Sequence, residues 1–343
     1  MLTLDRLQSF LAQLPQIRIG LVGDLFLDRY LELAPDVREM SIETGLEAYQ
    51  ITQIRNAPGA LGTVLNNLAA LGVGRLIPVT VIGDDGHGYD LRKALERLPV
   101  DPRYIVSDEK RLTPTYTKPL RRHADGQVEE LNRLDIRDRA SLAEATTQEV
   151  CRRIEQLWSE CEGLIVLDQI VETDWGVVND VVRRKLAELS ARDPEKLVYV
   201  DSRAHLHRFT FGTLKGNRSE VTSAAGMPIE DDAAVQHSLR ALAQRTGRQA
   251  YCTCGERGML TADPTGAVTL VPGYQVAGPV DIVGAGDAAS SGIVTSLLAG
   301  ATATEAAAVG NLVASITVQQ LGTTGVATPA QVKSRWHDWQ AAP

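Results

Sequence analysis

A glycine turn followed by a carboxylate carries the clearest chemistry in this sequence. Gly284-Ala285-Gly286-Asp287 follows an extended apolar stretch and precedes small residues typical of the first turns of a helix. Amides at a helix start have no internal partners and lie at the positive end of the helix dipole, so the turn can bind an anion. Asp287 could take a proton from a hydroxyl while these amides stabilise a transferring phosphoryl group. The alternative is that Asp287 only caps the helix.

A second polar group lies between residues 215 and 220. Asn217 and Glu220 are three positions apart and would share one face of a helical turn. Such a pair could hold waters around Mg²⁺, which keeps much of its hydration shell in proteins. The same N-x-x-E spacing also arises as a capping box at a helix start. Spacing alone leaves both interpretations open.

Two further segments contain small residues that a nucleotide could approach. Thr253-Cys254-Gly255-Glu256-Arg257-Gly258 joins two strand-like runs, and its backbone could lie along a nucleotide. Residues 306–320 form a helical pattern rich in small side chains, which would admit a flat base. The first segment is equally a turn, and the second equally permits tight packing between a helix and its neighbours.

Carboxylates near the N-terminus suit the recognition of a polyhydroxyl compound. An apolar run ends in Gly23-Asp24, and Asp28 follows four residues later. Residues 58–72 then begin a helical pattern that is interrupted by glycine. Because a sugar hydroxyl both donates and accepts hydrogen bonds, carboxylates beside open backbone amides can bind it.

Composition excludes several classes of protein. The chain has 343 residues, 44% of them hydrophobic and 23% charged, and a net charge of −8, which argues against a broad nucleic-acid footprint. No apolar run approaches the ~18 residues that a membrane span needs. Residues 1–14 have the pattern of a short amphipathic helix and not of a signal peptide. We therefore expect a cytoplasmic protein.

The four cysteines predict no disulfide framework. Cys151, Cys161, Cys252 and Cys254 contain no C-x-x-C pair, and the last two lie in an apolar, strand-like run. Buried free thiols are the favoured interpretation, with a metal site or a disulfide as alternatives.

Short apolar runs alternate with longer helical patterns over most of the chain. Predicted strands cover residues 17–22, 76–82, 163–168, 197–201, 249–254 and 259–262. Predicted helices cover residues 61–71, 90–98, 141–161, 176–189, 232–246, 288–298 and 304–320. This alternation predicts an α/β fold with a mainly parallel sheet covered by helices on both faces. In such sheets ligands bind beyond the carboxyl ends of the strands.

Two polar segments, residues 31–56 and 111–135, interrupt this alternation. Both contain period-two patches, and the second resembles a hairpin with strands at 115–120 and 128–134 around a turn at Asp125-Gly126. We predict that they form a small β lid on a single domain spanning residues 1–343. The alternative is two long surface loops, which are uncommon without a function.

The order of these motifs resembles the ribokinase-like (PfkB-type) carbohydrate kinases over nearly the whole chain. The resemblance implies ATP and Mg²⁺ as cofactors, Gly284, Ala285 and Gly286 as an anion hole, and Asp287 as the base. It assigns Asn217 and Glu220 to the Mg²⁺ environment, acting through water. It places the remaining expected contacts beside the nucleotide: Lys215, Asn217, Thr253, Gly255, Gly258 and Asn311.

Within that family the sequence is most similar to the heptose-7-phosphate kinases. The similarity lies in Gly23-Asp24-x-x-Leu27-Asp28-Arg29-Tyr30, in residues 114–118 with Asn132-Arg133-Leu134-Asp135, and in Leu321-Gly322-Thr323. It implies a sugar or sugar-phosphate acceptor bound by Asp24, Asp28, Gly59, Thr63 and Arg133. Arg121 and Arg122 could also face an acceptor phosphate, or be solvated charges of a hairpin. The resemblance also allows a monovalent cation such as K⁺ at Asp281 and Val283.

Two departures from the family pattern concern the acceptor. The usual G-G-A-A-N segment is Gly59-Ala60-Leu61-Gly62-Thr63 here, and the S-D-Y-x-K-G stretch of the heptose kinases corresponds to residues 167–176, which contain no lysine. The alternatives are therefore a nucleoside or vitamin-alcohol kinase, or a catalytically silent binding protein on the same fold. An exposed strand edge and apolar face in the lid predict a homodimer that forms through it.

Overall fold

The computed structural model describes residues 2–35, 37–123, 125–228, 231–322 and 324–341. Its helices are α1 (Leu4–Gln13), α2 (Leu61–Ala70), α3 (Gly86–Leu95), α4 (Glu144–Trp158), α5 (Asp180–Arg192), α6 (Arg218–Ala224), α7 (Asp232–Thr246), α8 (Ala285–Leu298), α9 (Ala303–Thr317) and α10 (Pro329–Ala341). Its strands are β1 (Arg18–Gly23), β2 (Leu25–Leu33), β3 (Glu39–Met40), β4 (Glu47–Ala48), β5 (Ile51–Ala60), β6 (Arg75–Gly83), β7 (Ile105–Asp108), β8 (Thr115–Arg122), β9 (Val128–Glu130), β10 (Leu134–Ile136), β11 (Gly163–Asp168), β12 (Leu197–Ser202), β13 (Thr213–Asn217), β14 (Ala250–Thr253), β15 (Gly258–Ala262) and β16 (Val268–Pro272).

The main sheet is mainly parallel, as predicted. Within the described residues its nine strands follow the order β16-β15-β14-β13-β12-β11-β1-β6-β7. Neighbouring strands from β7 through β14 in this order are parallel, whereas β15 and β16 extend the sheet as antiparallel strands. The carboxyl ends of the parallel strands therefore meet at one edge of the sheet.

Alternating side chains bury both faces of this sheet. Ile165 and Leu167 of β11 pack in an apolar cluster with residues of α2, α8 and α9. Leu164 and Val166 of the same strand pack on the other side with residues of α4, α5 and α7. Because successive side chains of a strand point to opposite faces, a continuous apolar run indicates cover on both faces. The predicted layers are confirmed.

The lid is a second β-sheet, as predicted. Strands β10, β8, β2 and β5 lie side by side in that order, and β9 pairs with β8 as the expected hairpin. A separate pair, β3 and β4, lies in the same part of the chain. The lid strands begin and end closer to the main sheet than predicted, because β2 starts directly after β1 and β5 runs directly into α2. The lid is thus joined to the carboxyl edge of the main sheet without a linker.

Several elements were not predicted, for local reasons. Strand β13 (Thr-Leu-Lys-Gly-Asn) contains one apolar residue and shows no periodicity, and β7, β16, α6 and α10 were missed as well. Helix α3 begins at Gly86 and not at residue 90, because the Asp85 side chain caps it by accepting a hydrogen bond from the Gly88 amide at 2.7 Å. The amphipathic N-terminal helix and the four buried free cysteines are confirmed. Within the described residues, no helix combines the length and apolar character needed to cross a bilayer.

One backbone conformation joins the lid to α2. Ala60 has a φ of 52° and a ψ of −114°, which an L side chain rarely adopts. The family pattern G-G-A-A-N has its second glycine at this position, and glycine reaches this conformation freely. Strain of this kind persists only when the surrounding structure imposes it. Here the strained peptide sets the direction in which α2 leaves the lid.

We predict that Ala60→Gly raises the free energy of unfolding by about 1 kcal/mol. Relief of about 1–3 kcal/mol of strain outweighs the ~0.5–1 kcal/mol of added chain entropy in the unfolded state. Urea unfolding followed by circular dichroism measures the change. Ala187→Gly, inside α5, is the matched control and should lower stability by about 1 kcal/mol. An equal loss of stability in the Ala60→Gly and Ala187→Gly variants would contradict backbone strain at Ala60.

Candidate active site

The first turn of α8 presents open backbone amides. Gly284 precedes the helix with a φ of 78°, a left-handed conformation that favours glycine. The Ala285 amide donates to the Ile282 carbonyl at 3.1 Å, and the Ala288 amide to the Gly284 carbonyl at 2.9 Å. Among the described residues, the amides of Gly286 and Asp287 have no acceptor. Two adjacent donors therefore remain available at the positive end of the helix.

Asp287 does not cap α8. It is the third residue of the helix, and no side chain caps the helix start, so the capping interpretation is wrong. Burial and the nearby Asp201 carboxylate raise the pKa of Asp287 to about 7, although Lys215 and Arg203 oppose the rise. A carboxyl with this pKa can exchange a proton near neutral pH.

A buried ion pair lies beneath this turn. The Lys215 ammonium of β13 donates to Asp201 of β12 at 2.7 Å, and both side chains are buried. The Ser290 hydroxyl of α8 donates to the same carboxylate at 3.1 Å, and the Tyr199 hydroxyl donates to Ser290 at 3.2 Å. Burial would lower the pKa of Lys215, but Asp201 reverses the effect, so the lysine stays charged. A Cβ atom on Gly286 would lie 3.1 Å from the Lys215 nitrogen, so the charge is next to the open amides.

Asn217 and Glu220 form a capping box at the start of α6. The Asn217 side chain accepts from the Glu220 amide at 2.9 Å, and the Glu220 carboxylate accepts from the Asn217 amide at 2.7 Å. The capping alternative is therefore confirmed. The box also holds both side chains at the carboxyl edge, where Asn217 pairs in register with Thr253 of β14. Burial and Asp201 raise the pKa of Glu220.

The side chains at this edge fit a Mg²⁺ ion held mainly by phosphate oxygens and water better than an ion enclosed by protein ligands. Within the described ranges, no three His, Cys, Asp or Glu side chains lie close enough to hold an ion together. Glu220 keeps one carboxylate oxygen outside the capping box. Mg²⁺ needs few protein ligands when phosphate oxygens and waters complete its octahedron.

The glycines of the 253–258 segment serve a tight turn between β14 and β15. Gly258 has a φ of 99°, and a Cβ atom there would lie 2.2 Å from the Val271 carbonyl oxygen. Gly255 begins the intervening 3₁₀ turn, Gly255–Arg257. The turn interpretation is confirmed, and contact with a nucleotide stays a prediction.

Helix α9 packs closely on both its neighbours. A Cβ atom on Gly292 of α8 would lie 3.0 Å from the Gly310 Cα atom, so the tight-packing interpretation of the small residues is confirmed. The Asn311 amide donates to the carbonyls of Val271 and Pro272 at 3.2 and 3.1 Å. The same strand, β16, therefore contacts Asn311 and Gly258, which brings these two predicted nucleotide residues together.

The predicted acceptor residues Asp28 and Gly59 meet in the lid sheet. A Cβ atom on Gly59 would lie 2.9 Å from the Asp28 carboxyl carbon, so only glycine leaves room for this side chain. Lys118 of β8, which was not predicted as a site residue, pairs with Asp28 at 3.4 Å. Burial raises the pKa of Asp28, and the charges of Lys118 and Arg133 oppose the rise.

Thr63 links the predicted acceptor residues to the Gly284–Asp287 turn. It is buried in the first turn of α2, and its methyl group would lie 3.4 Å from a Cβ atom on Gly284. Arg133 lies with its guanidinium 4.1 Å from the centre of the Tyr116 ring and pairs with Asp135 at 2.6 Å. Arg121 and Arg122 pair with Glu47 and Glu32 at 3.7 and 3.9 Å, as charges on the lid surface.

Asp24 has a different environment from the one predicted. Its carboxylate accepts hydrogen bonds from the amides of Gln169, Ile170 and Val177 at 3.1, 3.4 and 2.8 Å. Burial and Asp168 raise its pKa to about 6, although these amides lower it. The side chain thus orders the loop after β11, and its oxygens are occupied by the protein's own backbone.

Asp281 closes the loop that leads to the α8 turn. Its carboxylate accepts from the amides of Val283 at 3.0 Å and Gly322 at 3.2 Å. The predicted closing turn, residues 321–323, begins here, and Thr323 lies outside the described residues.

Sequence reasoning missed three charged residues of the site. Asp201 was included only as the last residue of a predicted strand and Lys118 only as part of a lid motif, and Arg203 was not singled out. For Asp201 and Arg203 the available signal was position, because charged residues at the carboxyl end of a parallel strand face the ligand edge. Lys118 lies in the middle of β8 and had no such signal.

Comparison with known proteins identifies the family. The family model described as pfkB family carbohydrate kinase matches residues 39–331. The bifunctional protein HldE of Trichlorobacter lovleyi is 27% identical over 328 residues, which cover 95% of this chain and 64% of that protein. The chain spans 60–65% of the length of the curated relatives that it matches.

Solved structures share the fold. Phosphofructokinase-2 from Escherichia coli in complex with potassium superposes with a TM-score of 0.71 at 18% identity, over 94% of this chain and 99% of that one. Ribokinase of Arabidopsis thaliana, complexed with ribose and ATP, gives 0.67 at 17% identity, over 93% and 98%. The family model covers most of the described sheet, and the chain therefore belongs to the pfkB family of carbohydrate kinases.

Proposed function

We propose that this protein transfers the γ-phosphoryl group of ATP to a hydroxyl of a sugar or sugar phosphate. The observation that carries the proposal is the start of α8. There the Asp287 carboxylate, with a pKa raised to about 7, lies beside two amides that have no acceptor among the described residues. Phosphoryl transfer needs a proton acceptor and stabilisation of charge at one point in space.

Asp287 would remove the proton of the acceptor hydroxyl as its oxygen attacks the γ-phosphorus. The amides of Gly286 and Asp287 would bind the phosphoryl oxygens, and Lys215 adds positive charge below them. Mg²⁺, when bound near Glu220 through water, neutralises the phosphate charge of ATP. The buried Lys215–Asp201 pair holds the lysine in place, so little reorganisation accompanies the reaction.

The nucleotide would lie along the carboxyl ends of β13 and β14. Asn217 and Thr253 are neighbours in register there, and Gly255 and Gly258 form the next turn. Asn311 would lie on the adenine side, through its bonds to β16. The ribokinase with the same fold was solved with ribose and ATP, which supports a nucleotide and a sugar on this architecture. Phosphofructokinase-2 with the same fold was solved in complex with potassium, which supports a monovalent cation on this architecture. We propose Asp281 and Val283 as its ligands.

The acceptor would lie between the lid and α2. Asp28 can bind sugar hydroxyls, Gly59 leaves space for its carboxylate, and Thr63 contacts the catalytic turn. Lys118 and Arg133 add positive charge that suits an acceptor with its own phosphate, such as heptose 7-phosphate. Closure of the lid would exclude water, which otherwise competes as an acceptor.

A substrate panel tests the proposal directly. The purified chain is incubated with MgATP and with sugars, sugar phosphates including heptose 7-phosphate, nucleosides or vitamin alcohols, and the release of ADP is measured. We expect the highest kcat/KM with a sugar or sugar phosphate. A preference for a nucleoside or vitamin alcohol would overturn the acceptor class, and no turnover with any compound would overturn the kinase assignment.

Asp287→Asn should lower kcat by about 10³-fold, because a general base contributes about 10²–10⁴-fold. Affinity for MgATP, measured by calorimetry, should change little. Asp263→Asn is the control, since Asp263 is at the opposite end of β15 from Gly258. Unchanged turnover in the Asp287 variant would rule this residue out as the base.

The pH dependence of kcat/KM should reflect the raised pKa of Asp287. The base acts only when ionised, so we expect the rate to fall about tenfold per pH unit below pH 7 and to level off above it. Initial rates measured between pH 5 and 9 give the profile of kcat/KM against pH. An acid limb near pH 4, where an ordinary aspartate titrates, would contradict the buried environment of this carboxyl.

We further propose that the chain forms a homodimer through the lid. Strand β5 is an edge of the lid sheet, and Leu46 and Ile54 are 69% and 58% exposed. Sedimentation at micromolar concentration should give twice the chain mass of 37.1 kDa. Ile54→Asp should give monomers, whereas Leu270→Asp, at a 54% exposed site on β16, should not. A monomeric wild-type protein would refute the dimer.

A further inference from the structure

Arg203 is an exposed cation at the carboxyl edge without a partner. Its amide donates to the Asp168 carbonyl at 3.0 Å, which holds its backbone just beyond β12. Among the described residues, its guanidinium has no ion pair or hydrogen bond. The neighbouring arginines near Tyr116 differ, because Arg133 pairs with Asp135 and Arg137 with Glu172. Arg203 is therefore the cation in this region that can bind a new anion without breaking a contact.

Arg203 is the first residue after β12, the strand that bonds to α8. The Tyr199 hydroxyl donates to the Ser290 hydroxyl of α8, which donates to Asp201, whereas the Ser202 hydroxyl donates to Asp168. β12 ends at Ser202, and the bond from the Arg203 amide to the Asp168 carbonyl holds Arg203 at the carboxyl edge. Asp287 lies one helical turn before Ser290, so Arg203 leaves β12 near the Gly284–Asp287 turn.

Charge at the site agrees with this position. Burial raises the pKa of Asp287, Glu220 and Tyr116, and the Arg203 guanidinium opposes the rise in all three. Tyr116 belongs to the lid and Asp287 to α8, so the charge of Arg203 acts on groups of both the proposed acceptor side and the proposed nucleotide side. The lysine at this edge, Lys215, is already paired with Asp201. The loop after β11, residues 169–176, supplies no lysine or arginine.

We propose that Arg203 is a catalytic residue that donates its guanidinium N–H groups to the transferring phosphoryl group. The inference rests on the kinase function proposed above. In the step, a bond forms between the acceptor oxygen and the γ-phosphorus while the bond from phosphorus to the bridging oxygen of ADP breaks. The acceptor proton goes to Asp287, and the electron pair of the broken bond stays on ADP. Arg203 offsets the negative charge on the equatorial oxygens, which the nearby carboxylates would otherwise repel.

Binding of a transition-state mimic tests this role without turnover. The affinities of the full chain for MgADP alone and for MgADP with aluminium fluoride are measured by calorimetry. Arg203→Ala should bind MgADP within about twofold of the wild type and lose about 10²-fold or more of the added affinity with aluminium fluoride. Arg203→Lys should recover part of it. Arg137→Ala, which removes a paired arginine from the same region, is the matched control and should behave as the wild type.

Kinetics provide a second readout. Arg203→Ala should lower kcat by about 10²–10³-fold with little change in the KM for ATP or acceptor. Its acid limb should move to higher pH, because loss of the guanidinium raises the pKa of Asp287. A rise in acceptor KM alone, or equal loss of MgADP and mimic binding, would overturn the catalytic role. An unchanged affinity of the Arg203→Ala variant for MgADP with aluminium fluoride would also overturn the catalytic role. A wild-type protein that does not bind MgADP would instead refute the kinase function itself.

Discussion

The buried ion pair between Lys215 and Asp201 is the interaction on which the proposed active site depends. It joins two parallel strands, and through Ser290 it also holds the first turns of α8 above them. Loss of either partner would leave an uncompensated buried charge, which costs about 3–5 kcal/mol. The same pair fixes an ammonium below the open amides of α8 and a carboxylate that raises the pKa of Asp287. One contact thus sets both the position and the charge of the proposed phosphoryl site.

The lid is connected to this site by close contacts. Gly59 makes room for Asp28, the strained Ala60 peptide turns the chain into α2, and Thr63 packs against Gly284. A movement of β5 would therefore be transmitted to the catalytic turn through the first residues of α2. This arrangement provides a physical route by which acceptor binding under the lid could influence phosphoryl transfer.

Much of the fold was predictable, because burial on both faces gives strands continuous apolar runs and helices a period of 3.6 residues. Strand β13 was not predictable in this way, since Lys215, Gly216 and Asn217 are placed by their neighbours and not by apolar periodicity. The turn and helix start at Gly284–Asp287 were predictable because the motif is contiguous. Arg203 and Lys118 were not, because nothing in their local sequence indicates which distant residues they face.

The sequence by itself determined the open amides and the carboxylate at the start of α8, since a glycine turn, an aspartate and a helix of small residues are local features. Only the tertiary structure decided which charges surround that turn. The backbone bonds of Asp24 and the environment of Arg203, whose guanidinium has no partner among the described residues, depend on contacts between segments far apart in the chain. Electrostatic interactions depend on distances in space and on burial, and the linear order of the residues specifies neither.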